Sequence, residues 1–180
     1  MKHRLMSGVA GALLAAALVV PAAAASQCDA AVPQQHQLVG KTRLSVMFWD
    51  VYDARLFTDS GEFEWSRKAS LNKVLVLDYL RDIKAKDLVE TTGEEWQRLK
   101  FDHADQQQWL EQLQAMWPDI NEGDCLALVE TKEGYAEFYQ GEKLLGTIKD
   151  KTFTEYFLAI WLSPESRFDD EREELVGESS

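Results

Sequence analysis

The sequence predicts an α+β fold, an antiparallel sheet with helices packed on it. Three observations lead there. Segments rich in β-formers come first, give way once to two helical segments, then resume before a last helix, an order that does not build βαβ units. The later strands are separated only by short punctuation, Glu133-Gly134 and Gly141-Glu142, which leaves no room for crossover helices. The helix after them carries Phe153, Tyr156, Phe157, Ile160 and Trp161 at i, i+3, i+4, i+7 and i+8. That aromatic stripe needs a sheet face to cover it.

Taken in order, residues 1–25 are expected to lie outside the fold. Lys2, His3 and Arg4 form a short basic region, Gly11 to Val20 is an apolar small-residue run, and Ala23 and Ala25 fit an A-x-A cleavage pattern. The run is too short and alanine-rich for a membrane span. The expectation is a cleaved signal peptide at 1–25, a single domain at 26–180, and no integral membrane segment thereafter. Loss of Lys2 and Arg4, with no acidic residue, takes the net charge from −12 to −14. Nucleic acid and anionic head groups repel so acidic a chain, so neither is expected as a partner.

Cys28 and Cys125 both remain after cleavage, in an oxidising compartment. Two arrangements stay open. A disulfide would tie the start of the mature chain to a strand; otherwise Cys125 is a buried thiol and Cys28 is loose. Two cysteines give no metal-ligand spacing.

Ser26 to Gln37 reads as a polar lead-in. Lys41 to Met47 and Trp49 to Phe57 read as a hairpin, with Gly40 before it marking a close backbone approach or a positive-φ turn. Thr58 to Ser70 is a loop. Leu71 to Leu80 is the clearest strand, with Val74, Val76 and Asp78 on one side and Leu75, Leu77 and Tyr79 on the other. Helical spacing follows over Ala85 to Leu99, despite Gly93, and over Ala104 to Trp117, which Pro118 ends. Strands are expected at Cys125 to Thr131, Tyr135 to Gln140 and Lys143 to Ile148. In the aromatic helix Thr152 and Glu155 form a capping box, and Ser163-Pro164 stops it. Phe168 to Val176 is a short acidic helix.

The catalytic inventory is thin. His36 and His103 have no fixed acid, base or thiol near them in sequence, and no nucleophile-elbow, zinc-protease or phosphate-loop motif is present. Glu90, Glu94 and Glu95 read as a solvated helix face. Arg43 and Tyr52 stand out, on adjacent strands. A guanidinium directed into a core needs an anion, and a guanidinium with a phenol would anchor one carboxylate. Alternatively Arg43 faces solvent or pairs with Asp50 or Asp53.

Gly40-Lys41-Thr42-Arg43 before a strand ending VYDARLF, then LDYLRDIKAKDL, MWPDINEGDCLAL and QGEKLLGTIKDKTFTEYFLAIWL, resemble in succession the bacterial exported branch of the chalcone isomerase-like family. The likeness runs over residues 38 to 177. It implies an open-faced β-sandwich, with a ligand cleft between a large antiparallel sheet and the helices, and a periplasmic location. Chalcone isomerases add a phenolate to an enone with an arginine, a threonine, and a tyrosine, lysine and asparagine on a helix. Here Arg43 falls at the arginine position and Tyr52 at the threonine position, as in the non-catalytic fatty-acid-binding branch, where arginine and tyrosine hold a carboxylate. Ala85 to Leu99 has Lys86 but no tyrosine or asparagine. The resemblance therefore implies a non-enzymatic protein, without cofactor or catalytic residues, that binds a small amphipathic carboxylate such as a fatty acid. Arg43 and Tyr52 would hold its head, and Phe153, Phe157 and Trp161 its tail. The alternatives are an intramolecular lyase acting on an enone, and an interaction domain whose aromatics fill the cleft.

Overall fold

The computed structural model describes residues 26–178; the expected leader lies outside the described residues. Six strands form one sheet in chain order: β1 Gln37–Val46, β2 Trp49–Thr58, β3 Lys73–Tyr79, β4 Cys125–Glu130, β5 Ala136–Gln140 and β6 Lys143–Ile148. Every neighbouring pair is antiparallel. Helices α1 (Ala85–Arg98) and α2 (Gln106–Met116) are inserted between β3 and β4, and α3 (Lys151–Leu162) and α4 (Asp169–Leu175) follow β6. This is the expected α+β sheet covered by helices.

The pleat of β3 decides which face is which. Leu75, Leu77 and Tyr79 point into the main core beneath the helices. Val74 and Val76 point the other way, into a second cluster with Cys28, Cys125, Ala127 and Val129. That outer face is partly covered by the lead-in, which forms a short 3-10 turn at Gln27–Ala31 instead of remaining irregular. A Cys28–Cys125 disulfide fastens the turn to β4. Arg55 reinforces it, spanning Asp29 at 2.6 Å and Asp78 at 3.0 Å, and the Ser26 hydroxyl bonds Asp78.

Helix α3 packs on more than the aromatic stripe. Phe153 and Phe157 are buried, but so are Thr154, Leu158 and Leu162 around the barrel of the helix. Its cap differs from the expected box. Asp150 is the N-cap and accepts from the amides of Thr152 and Phe153 at 2.8 and 3.3 Å. An aspartate two residues upstream wins over Thr152, and Glu155 is released to pair with Lys68 at 2.9 Å. At the other end Ser163 is extended, as its following proline requires.

Two glycines record close approaches. A Cβ on Gly40 would sit 2.2 Å from the carbonyl oxygen of Glu174, so α4 can lie on β1 only because the side chain is missing. On Gly93, a Cβ would meet Leu110 at 3.3 Å, which explains a glycine in mid-helix where α1 packs on α2.

Candidate functional site

Between the inner sheet face and α1, α3 and α4 lies a cavity of about 330 Å³. β1 supplies Thr42 and Leu44, β3 supplies Leu77 and Tyr79, and α3 supplies Phe157, Ile160 and Trp161. Such a hollow, mostly apolar with a few placed polar groups, is the usual form of a small-molecule site. The β1–β2 ladder shifts register between Leu44 and Ser45, whose partners are Tyr52 and Asp50, leaving Val51 as the extra residue. Bulges of this kind re-aim side chains, and here Val51 and Tyr52 both line the cavity.

Tyr52 is the centre of the polar end. Its hydroxyl oxygen accepts a hydrogen bond from the Trp161 indole N–H at 2.9 Å, which leaves its own proton for another acceptor. Opposite it in the β2–β3 register stands Tyr79, the two rings edge to face with centroids 5.7 Å apart. The Tyr79 hydroxyl makes no hydrogen bond to a described residue. Nor does the indole N–H of Trp117, which also lines the cavity. Burial pushes the Tyr52 phenol well above the ordinary tyrosine range; the Trp161 bond opposes this, and the nearby charges of Glu95 and Glu171 add to it. Burial does the same to Tyr79. Both are therefore neutral donors at any physiological pH.

Glu95 is not on a solvated face. It is buried, with Arg98 at 2.8 Å on one carboxylate oxygen and Arg167 at 2.7 Å on the other. Glu90 and Glu94 are exposed, as expected. Arg172, also lining the cavity, is buried and is spent on the Leu162 carbonyl at 3.2 Å and on Glu178 at 2.6 Å. Each cavity-lining guanidinium is thus already engaged.

Arg43 is not at this site. Thr42 and Leu44 turn inward, so the pleat sends Arg43 to the outer face, where its side chain is 52% exposed. It bonds Asp53, its cross-strand partner, at 2.6 Å and Asp50 at 3.3 Å. The hydrogen bond to Asp53, above all, holds its charge more firmly than usual. The head-group anchor expected from Arg43 with Tyr52 is corrected accordingly: the sheet separates them, and the alternative pairing with aspartates holds. Phe153 is also displaced from the expected lining. It is wholly buried among Trp96, Trp109, Phe138 and Phe157, and supports the cavity wall from behind. Tyr52, Phe157 and Trp161 do come together. Tyr79 joins them, and the signal for it is the strand alternation that puts it on the inner face with Leu75 and Leu77. Among the described residues, the lining contains no lysine, asparagine, histidine or cysteine.

A sequence model described as chalcone isomerase-like matches residues 24–177. The chain belongs to the chalcone isomerase-like family. A Haemophilus influenzae protein described as uncharacterised is 28% identical over 151 residues, covering 83% of this chain and 72% of its own. Among solved structures, an Arabidopsis thaliana fatty-acid binding protein superposes with a TM-score of 0.65 at 13% identity, over 81% of this chain and 89% of that one. At that identity the likeness establishes the shared fold. In this chalcone isomerase-like chain the hollow lies on the helix side of the sheet, and Arg43 lies on the other.

Proposed function

We propose that the protein is an exported, non-enzymatic binder of a small, largely apolar molecule with one polar end, such as a fatty acid. The observation that carries this is a cavity of about 330 Å³ whose apolar lining is broken by phenol donors with protons to give, those of Tyr52 and Tyr79. A ligand oxygen at this end of the cavity would give these donors an acceptor that no described side chain supplies, so the site favours a ligand that carries one. Phe157, Ile160 and Trp161 would flank its chain. The Arabidopsis structural neighbour, named for binding fatty acid, supports the choice of ligand class. The A-x-A leader pattern and the Cys28–Cys125 bond support export to an oxidising compartment such as the periplasm.

The head group is read differently from the arginine-clamp expectation. With Arg43 outside and the cavity-lining arginines bound to Glu95 and Glu178, a carboxylic acid would be held by hydroxyl donors. Native mass spectrometry of the protein purified from its own host tests the reading. Wild type and Arg43→Ala should carry the same lipid-sized mass, and Ile160→Trp, which fills the cavity, should be empty. A protein with no bound mass after exposure to lipid extract, or equal occupancy in wild type and Ile160→Trp, would refute it.

A further inference from the structure

The β1–β2 hairpin ends in Val46-Met47-Phe48-Trp49, and the fold does not account for these residues. Val46 pairs with Trp49, so Met47 and Phe48 form a two-residue turn. Met47 has φ 58°, at a turn position where glycine is favoured and a long side chain is strained. Nor is the strain offset by burial. Met47 is 86% exposed, Phe48 93% and Trp49 64%, the three largest exposures among the exposed bulky apolar residues that the structure describes. The guanidinium of Arg81 lies over the Trp49 ring, 5.3 Å from its centroid.

The position of this tip matters. Val46, half exposed itself, lines the cavity, together with exposed Asp87 and Thr91 of α1 and Arg167 of the α3–α4 connection. Those four residues mark the mouth, and the apolar tip continues directly from its Val46 lip.

We propose that the hairpin tip docks on a phospholipid surface, inserting Met47, Phe48 and part of Trp49 among the head groups. The cavity mouth is then set against the bilayer, so that an apolar ligand passes between the two without crossing water. The docking stands on the exposed tip alone; its role in ligand exchange rests on the function proposed above. A second copy of the chain fits the tip less well. Two aromatics and a methionine offer roughly 400–500 Å², whereas a stable interface takes about 800 Å² from each partner. A bilayer asks for no complementary surface. An indole with a cation over it is also a side-chain combination suited to the head-group layer, one apolar end and one wet. Because the chain carries a net charge of −12, or −14 without Lys2 and Arg4 of the expected leader, apolar insertion and not attraction to anionic lipid drives the contact.

Co-flotation with vesicles of phosphatidylcholine and phosphatidylethanolamine, at low and high salt, tests this. Wild type should float at both salt concentrations. Phe48→Asp should lower the bound fraction at least tenfold, with an unchanged unfolding midpoint, and Leu38→Ser, exposed on β1 away from the tip, should float like wild type. Native mass spectrometry of Phe48→Asp after incubation with excess free fatty acid should still find it in the cavity, separating loss of docking from loss of the site. Equal flotation of wild type and Phe48→Asp would overturn the proposal. So would a wild type that stays with the aqueous phase and instead forms dimers that Phe48→Asp abolishes.

Discussion

Breaking the Cys28–Cys125 bond should destabilise the domain by about 4–5 kcal/mol. The two cysteines are 97 residues apart, so the bond closes a loop that contains β1, β2, β3, α1 and α2. In the chain-entropy account the unfolded state loses 2.1 + 1.5R ln n cal/mol/K, which for this loop is about 4.7 kcal/mol at 25 °C. Reduction also releases the 3-10 turn that covers Val74, Val76, Ala127 and Val129, and weakens the hold of Arg55 on Asp29. The assay is urea unfolding followed by circular dichroism, on the oxidised protein, the reduced protein and the Cys28→Ala/Cys125→Ala variant. With a slope of about 2 kcal/mol per molar urea, the midpoint should fall by about 2 M in both altered forms. A midpoint that moves by less than about 0.5 M at that slope, or free thiols in the unreduced denatured protein, would refute the reasoning.

Other outcomes follow from the same geometry. Gly40→Ala should cost about 3 kcal/mol or more, because its methyl group meets the α4 backbone and not a side chain that can swing away; Gly93→Ala, facing only a leucine methyl, should lie within about 1 kcal/mol of wild type. Chemical denaturation of both variants checks the contrast. Tyr52→Phe should destabilise by about 1 kcal/mol, since it leaves the Trp161 N–H without its acceptor, and should lower ligand occupancy in native mass spectrometry. Tyr52 and Tyr79 have folded-state pKa values raised by burial above the ordinary 10.0. Below that value both folded and unfolded chains hold the protons and the contribution is intact; above it the unfolded chain releases them first, so stability falls as pH rises. Urea midpoints measured between about pH 8 and 11 should show this fall, and the Tyr52→Phe/Tyr79→Phe double variant should flatten it.

Much of the fold could be read from residue spacing because burial here follows simple periods. The alternation of Leu75, Leu77 and Tyr79 against Val74 and Val76 gave both faces of β3, and the gaps at Glu133-Gly134 and Gly141-Glu142 gave the last hairpins. The aromatic helix was legible for the same reason, although its cap was not: Thr152 and Glu155 match a capping pattern, but Asp150 is the better acceptor and lies closer to the turn. Arg43 shows a different failure. Lys41, Arg43 and Ser45 alternate with Thr42, Leu44 and Val46, and that pleat alone sends the guanidinium outward. The position carried over from the family resemblance pointed inward, and the local period prevails. Glu95 departs from the solvated face its charge run predicts because that run says nothing about Arg167, which arrives from 72 residues later in the chain. The volume of the cavity depends on how α1, α3 and α4 cross the sheet, which no strand or helix pattern encodes.

The fit of Gly40 beneath the carbonyl of Glu174 joins the first strand to the last helix. Thr42 adds a hydrogen bond to the Glu174 carboxylate at 2.7 Å along the same seam. The compartment therefore cannot be sealed until Asp169–Leu175 has arrived. A product cut short after Leu162 would own every strand yet leave its hollow unwalled on one side, with the inward face of β1 around Gly40 and Thr42 uncovered.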